Sequence, residues 1–530
     1  MIDRILTVSG FTLLSRISGF LRDIVLAWLL GAGPVADAFF VALRLPNHFR
    51  AIFAEGAFNA AFVPAYARLH QAGGGSQSAT FADRIFTLLL ASQMVLLAIA
   101  LLFTPWVIGL LAPGFADDSI RFDLAVDLTR ITFPYLFLIA LVTLYSGILN
   151  ALGRFAAAAA APILLNLSII AALLLAVYFP TPGHAAAWGV FVAGCLEALL
   201  VGGDAWRQGV LPRLRWPQFD VDVKAFLKRF APATVGSAET QIALFADTII
   251  ASFLAAGALS SLYYADRLNQ LPVGVIGIAA GTVLLPEMAR RLAAGDENGA
   301  RHSQNRAIEF TLLLAIPCFV AFLLVPETIM RGLFLRGKFT DANAAAAAAT
   351  LSAYAIGLMP FVLIRSMAVT FLSRGDTWTP VKALFFAVIV NLMLKVLLYK
   401  QHAQVGLAFA TSIGAWVNVA LLWWFATGGG RTPPAAKLIT FDDRLKRSAI
   451  RLAGAGLALA LALLVGERVL RNLVGGWTSY RDELMLALLA IIGMLVYGGA
   501  VMALFGRQWL AAFRRRKRAP GPPIPPPTDE

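Results

Sequence analysis

The chain has 530 residues, 59% of them hydrophobic and 14% charged, with a mean hydropathy of +0.75. Soluble globular chains carry about a quarter charged residues, so this composition excludes a soluble domain and specifies a polytopic membrane protein. The formal net charge of +14 belongs to the loop lysines and arginines of such a protein, and no nucleic-acid partner is assigned to it.

A window of ~20 residues predicts about fourteen transmembrane helices and an all-α fold. The first six spans cover roughly 5–30, 36–66, 82–112, 124–150, 156–179 and 184–206. The next six cover roughly 229–256, 260–288, 307–335, 345–372, 379–399 and 403–427, and the last two 448–470 and 484–511. The expected organisation is a six-helix lobe over 1–210, a basic cytoplasmic linker over 211–228 and a second six-helix lobe over 229–428. Two additional helices over 447–512 and a disordered basic, proline-rich tail over 513–530 complete it. No small-residue cleavage site follows a short apolar stretch at the N-terminus, so the first span reads as a retained helix.

Within that first span lie Arg16, Arg22 and Asp23. A lipid-facing charge there costs about 2.5–3.5 kcal/mol even on lenient insertion scales, so these groups are expected to line a polar interior. Thr12, Ser15, Arg16, Gly19, Arg22 and Asp23 recur at steps of three and four residues, which places them on one helix face. In the second span Asp37, Arg44, Arg50 and Glu55 flank the helix-interrupting pair Pro46-Asn47. Arg267 and Arg365 add cations in the second lobe. Two readings stand: arginines that pair with Asp23, Asp37 or Glu55 to hold helices together, or a cationic chamber for an anionic guest. The arginines outnumber the acids of the same spans, and guanidinium forks match phosphate oxygens, which points to a phosphate-bearing substrate.

The connections after even-numbered spans carry most of the basic loop residues, among them Arg68, Arg84, Arg154, Arg290, Arg291, Arg374, Lys382, Arg431 and Lys437. The opposite connections include the uncharged 31–35 and 255–260 and the acidic 113–120 with Asp117 and Asp118. Retention of Lys and Arg inside puts both termini in the cytoplasm. Between the sixth and seventh spans, Arg213, Arg215, Lys224, Lys228 and Arg229 alternate with Leu211, Leu214, Trp216, Phe219 and Phe226, the pattern of an interfacial segment. The tail Arg514-Arg515-Arg516-Lys517-Arg518 precedes a proline-rich stretch from Pro520 to Pro527 and suits contact with anionic lipid.

An internal repeat relates the lobes. Pro64-Ala65-Tyr66-Ala67-Arg68 matches Pro286-Glu287-Met288-Ala289-Arg290, Phe86 to Ala91 recurs letter for letter as Phe310 to Ala315, and Pro134 corresponds to Pro360, at offsets of 222, 224 and 226 residues. Six spans per repeat keep both copies in the same membrane orientation, as in transporters whose lobes enclose a central cavity. Cys195 and Cys318 lie far apart in apolar spans and imply neither a disulfide nor a metal cluster.

The run Ser15-Arg16 through Gly19-Phe20-Leu21-Arg22-Asp23, then Asp37-Ala38-Phe39-Phe40, Leu45-Pro46-Asn47 and Phe53-Ala54-Glu55-Gly56-Ala57-Phe58, resembles the MurJ (MviN) lipid II flippase family. Tyr263-Tyr264-Ala265-Asp266-Arg267 adds a second-lobe signature, and the resemblance extends from Arg4 to about Ala512. It places the chain in the multidrug/oligosaccharidyl-lipid/polysaccharide exporter superfamily. It implies export of undecaprenyl-diphosphate-linked disaccharide-pentapeptide, the peptidoglycan precursor, across the bacterial inner membrane by alternating access, with membrane lipids as surroundings. By the same resemblance Arg16, Arg22, Arg50 and Arg267, with Asp23 as neighbour, bind substrate, and Asp37 gates, with Glu55 and Asp266 assigned to the same role. The last two spans resemble a pair that forms a groove for the lipid tail.

Some members of the family bind sodium through an acid on the seventh span and an Asn and Asp four residues apart on the eleventh. Asp247 and Asn391 match here, but the residue four after Asn391 is Lys395, whose ammonium repels a cation. No cofactor is therefore expected, and a Na+ site is disfavoured. Lys395 either pairs with Asp247 or extends toward the interface near Tyr399-Lys400, and the second is favoured.

Three rivals are weighed. A multidrug or cation antiporter of the same superfamily would not carry an excess of fixed cations in its cavity. A membrane enzyme would need a carboxylate cluster for metal or a nucleophile beside a base, and His48, His70, His184, His302 and His402 are dispersed at span ends and loops. A flippase for another polyprenyl-diphosphate-linked oligosaccharide stays open.

Overall fold

The computed structural model describes residues 2–50, 58–428, 438–474, 476, 477 and 480–514. Among them the fold is all-helical. The helices are α1 (Ile2–Leu30), α2 (Pro34–Arg50), α3 (Phe58–Leu102), α4 (Thr104–Leu111), α5 (Ser119–Ala151), α6 (Ala156–Leu174), α7 (Pro182–Arg207) and α8 (Val221–Ser252). They continue as α9 (Ala258–Ala293), α10 (Glu297–Leu324), α11 (Pro326–Phe334), α12 (Asp341–Leu372), α13 (Trp378–Ala426), α14 (Asp443–Leu473) and α15 (Arg481–Arg514). Nine helices among the described residues are long and apolar enough to cross a membrane. The chain is a multi-pass membrane protein.

Nine such helices among the described residues stand against about fourteen expected spans, and α1 and α13 account for part of the difference. α1 carries Arg16, Arg22 and Asp23 within its apolar stretch, so its length is that of a crossing but its composition is not purely apolar. α13 contains two expected spans in one run, and its helical path breaks between them at Ala403 (φ 45, ψ −132). The tail beyond Arg514 and the stretch 51–57, which includes Glu55, lie outside the described residues.

Helix starts follow local capping chemistry. Asp118, Asp220, Asp296 and Asp442 each accept a backbone N–H three residues on, at Arg121 (3.2 Å), Val223 (2.8 Å), Gly299 (2.7 Å) and Leu445 (2.6 Å). α8 therefore begins at Val221, inside the basic segment expected as linker, and residues 210–220 are non-helical.

The chain divides into two compact units. The first comprises Met1–Leu268, Leu333–Tyr354 and Ala387–Gly414. At its heart Phe58, Phe62, Tyr66, Phe81, Leu144, Ile148 and Phe226 form an aromatic-rich cluster, with Phe58 and Phe62 stacked at 5.1 Å. The second comprises Asn269–Gly332, Ala355–Phe386 and Ala415–Glu530. Here α14 is pinned to α10 by the fully buried Glu309, which accepts from Ser448 and Arg306. α15 is tied to α11 by Arg331 Nε donating to Asp482 at 3.2 Å, and to α10 by Tyr497 donating to the Leu313 carbonyl at 2.8 Å. In hydrocarbon such buried polar contacts are the alternative to unsatisfied groups.

Candidate substrate site

Three groups of polar residues inside the first unit need explanation. The first is built on α1. Arg22 donates from Nε and Nη2 to Asp23 Oδ1 (3.0 and 2.7 Å) and from Nη1 to Asn166 Oδ1 (2.9 Å). The Asn166 amide in turn donates to the Ser15 carbonyl and to Ser18 Oγ, both at 3.0 Å, so α6 fixes the α1 face. Tyr263 donates to Asp23 Oδ1 at 3.2 Å and accepts from Arg267 Nη2 at 3.1 Å. The Arg267 guanidinium lies 4.9 Å from the Tyr263 ring centroid and 3.6 Å from Asp23 Oδ2. Two guanidinium groups thus share one carboxylate, Arg22 and Asp23 buried and Arg267 about one-third exposed. The pairing of Arg22 with Asp23 is present, and Arg267 has Asp266 in electrostatic range besides Asp23.

The second group closes around Asp37, which is fully buried. Its Oδ2 accepts from the Gly257 amide (2.7 Å), and its Oδ1 accepts from the Ser260 amide (2.8 Å) and hydroxyl (2.6 Å). Arg121 Nη1 stands 3.9 Å from Oδ2 and also donates to the Leu254 carbonyl at 3.0 Å. The knot extends to neighbouring loops. The Gly114 amide donates to Ser252 Oγ (3.0 Å), Tyr264 to the Gly31 carbonyl (3.1 Å) and Lys338 N to the Trp28 carbonyl (2.9 Å). Gly31 (φ +69) and Gly257 (φ +92) adopt left-handed backbone, and a Cβ on Gly31 would stand 2.4 Å from the Lys338 carbonyl oxygen. The partners of Asp37 are Gly257, Ser260 and Arg121 because α2 meets the first turn of α9, and Arg267, two turns further along, lies beside Asp23 instead.

The third is a cavity of about 710 Å³ whose polar lining includes Arg16, Arg50, Asn59, Asn150, Ser15 and Glu197. That volume lies within the 300–1,000 Å³ typical of small-molecule sites. Pro162, one turn before Asn166, lines it too, so α6 faces both groups. Tyr135 donates to Glu197 Oε2 at 3.3 Å, and Arg50 interacts with both of these residues. Ser15 lines the cavity and its carbonyl receives the Asn166 amide, so this residue of α1 borders both the cavity and the Arg22 group. Arg16 and Arg50 line the cavity against one carboxylate, Glu197, while Arg22 and Arg267 lie beside Asp23, with Asp266 in electrostatic range of Arg267.

Elsewhere the expectations divide. Lys395 does not extend to the interface: its side chain is 1% exposed and its ammonium pairs with Asp247. The correction has a simple cause, since the hydropathy of α13 leaves its rotation about its own axis undetermined. Asn391 lies one turn before Lys395, and its Oδ1 is buried without a hydrogen-bond partner. Asp266 is in electrostatic contact with Arg267, while Arg365 is exposed in the second unit. Among the described residues no group of three or more His, Cys, Asp or Glu side chains is arranged to hold a metal. Asn166, Glu197 and Arg121 were missed from sequence, and Tyr263 was named only within the second-lobe signature and given no role. For Glu197 a signal existed, a lone carboxylate in an apolar span.

The chain matches the family described as Lipid II flippase MurJ over residues 26–473. It is 38% identical over 532 residues to the "Probable lipid II flippase MurJ" of Rhizobium tropici, covering 98% of each chain. It is 34% identical to the "Lipid II flippase MurJ" of Burkholderia cenocepacia, covering 97% of this chain and 99% of that one. A solved lipid II flippase MurJ in an inward closed conformation superposes with TM-score 0.79 at 24% identity over 95% of this chain and 99% of that chain. An inward-facing MATE-family multidrug transporter of the MOP superfamily superposes at 0.63 with 14% identity over 79% of this chain and 93% of that chain, which marks a shared fold. The chain belongs to the MurJ lipid II flippase family.

Proposed function

We propose that this protein moves lipid II, the undecaprenyl-diphosphate-linked disaccharide-pentapeptide, from the inner to the outer leaflet of the bacterial cytoplasmic membrane. It acts as a transporter and not as an enzyme. The observation that carries the reading is the lining of the 710 Å³ cavity, where Arg16 and Arg50 face one carboxylate, Glu197. An excess of fixed positive charge facing a cavity within the membrane is costly unless a guest compensates it, and a diphosphate offers oxygen pairs that a guanidinium fork grips by two bonds. Arg16, Arg50 and Arg267 meet the guest, while Asp23, Asn166 and Tyr263 hold Arg22 and Arg267 in place.

Alternating access then needs one end that opens and closes. The loops tied around Asp37 are those that the charge asymmetry puts outside, with both termini inside. Their closure supports a state loaded from the cytoplasmic side. Opening must free Asp37 from three donors at once, so the knot is a two-state element rather than a graded one.

The test is flipping of lipid II in proteoliposomes by the wild type and by Arg16→Ala, Arg50→Ala and Arg267→Ala at equal protein content. Loss with Ala and partial recovery with Lys support the diphosphate clamp, and unchanged flipping in all three excludes it. A flippase for another polyprenyl-diphosphate-linked oligosaccharide would use the same clamp. Depletion in cells separates the two: arrest of wall synthesis supports lipid II, and loss of surface polysaccharide alone supports the rival.

A further inference from the structure

Lys395 sits where the family resemblance would place a ligand for sodium, and the residues present do not fit that ion. The Asp247 carboxylate is already engaged by the Lys395 ammonium, which is buried to 1% exposure while Asp247 is 29% exposed. Around Tyr354, itself buried, lie Asp247 and Asp266 with Arg44 in electrostatic range. Two carboxylates therefore face two fixed cations, Lys395 and Arg44. A site that attracts a metal cation needs a negative excess, and this set has none.

We infer that Lys395 is a tethered cation that permanently takes the place of an exchangeable monovalent ion between α8 and α13, so the protein binds no Na+ at Asp247. This rests on the family membership and not on the identity of the transported lipid.

Three features support it. The ammonium is delivered by the chain itself, so its effective concentration at Asp247 exceeds that of any dissolved ion. A sodium ion could enter only by displacing a buried ammonium that would then have no carboxylate. Asn391 Oδ1 remains a buried acceptor without partner one helical turn away, on the Lys395 face of α13. α13 turns back at Ala403, and its second half packs so closely that a Cβ on Gly414 would stand 2.8 Å from Asn391 Cβ. The position of Asn391 is fixed by that packing. The acceptors of a cation site are thus present, with an ammonium in place of the ion. One consequence is a transport cycle that a sodium gradient does not drive through Asp247.

The test is thermal unfolding of the purified full chain in detergent, in NaCl against choline chloride at equal ionic strength. The wild type is expected to unfold at the same midpoint in both. Lys395→Asp restores a negative excess and is expected to gain a sodium-specific rise of about 2 °C, lost again when Asp247→Asn is added. Lys395→Gln, which keeps side-chain length, serves if Lys395→Asp is not recovered folded, with a smaller rise expected. A sodium-specific rise in the wild type that Asp247→Asn abolishes overturns the inference. So does a folded Lys395 variant with no sodium response, because the lysine would then occupy no ion's place. Lipid II enters neither measurement, so failure here leaves the proposed function untouched.

Discussion

The two ends of α2, separated by roughly 20 Å of helix, handle buried charge in opposite ways. At the first turn, Asp37 has every acceptor lone pair directed at a donor or a nearby guanidinium, and nothing remains for a ligand. At the last turn, Arg50 shares one carboxylate, Glu197, with a cavity that Arg16 also lines. The first arrangement is saturated and holds loops together. The second is under-compensated and invites an anion. Buried charge by itself marks neither role; the count of partners separates a latch from a binding site.

The largest effects are expected where compensation is weakest. Arg50→Ala or Arg16→Ala removes one of the two forks that line the cavity, and each charge-assisted hydrogen bond is worth about 1.5–3 kcal/mol. A loss of roughly 10- to 100-fold in lipid II affinity follows for each, read as a shift in the concentration needed for half-maximal flipping. Lys at either position should recover about a third of that loss in free energy, since one ammonium makes one contact where the fork makes two. Full recovery by Lys would show that charge alone matters and would remove the geometric part of the clamp.

At the saturated end, Asp37→Asn keeps the shape but turns one acceptor oxygen into an amide donor facing donors. A buried donor left unsatisfied costs about 1–3 kcal/mol. The expected outcome is a protein that folds but opens its knot, detected as faster thiol labelling of a cysteine placed at Lys338, which in the wild type donates its backbone amide to Trp28. Labelling at the wild-type rate would mean that the loops close without Asp37, and the contrast between the two ends would fail.

Glu197→Gln sharpens the comparison from the other side. It removes the carboxylate that competes with a guest for Arg50 while keeping an acceptor for the Tyr135 hydroxyl. Binding of a soluble diphosphate should strengthen about five-fold, the reverse of the arginine variants and smaller than they are. Weaker binding would assign Glu197 to positioning Arg50 rather than competing for it.

How much of this was legible beforehand follows from the range over which each feature is encoded. Helix positions and the charged face of α1 are local, set by hydropathy and by three- and four-residue spacing, and the structure places Arg16, Arg22 and Asp23 on that face. Partners are not local. Asn166 is 144 residues from Arg22, and Ser260 is 223 from Asp37, so only packing brings them together. Lys395 shows the same limit in another form: a helix apolar on nearly all sides has no moment to fix its rotation, so sequence left open which way the ammonium points.

The smallest predicted effect concerns the exposed border of the saturated end. Asp118, in the loop before α5, is held below its ordinary value of 3.8 by the Arg121 amide and then by the Arg121 side chain, against a small opposing effect of burial. A depressed carboxyl stabilises the folded state wherever it is ionised in both states. Its contribution is therefore fully present above 3.8 and is lost as pH falls from there through the lower folded value. Between pH 8 and 5 this group should leave loop closure unchanged, and closure should weaken only below about pH 4. The carboxylate is about one-third exposed, so screening keeps the effect below that of Asp37. Thiol labelling at Lys338→Cys across this range, in proteoliposomes oriented with the loop outward, measures it. Asp118→Asn should label slightly faster than the wild type above about pH 4, converge with it below, and show no acid step of its own. An acid step in the wild type that begins near pH 6 would point to a different titrating group and would detach Asp118 from the latch.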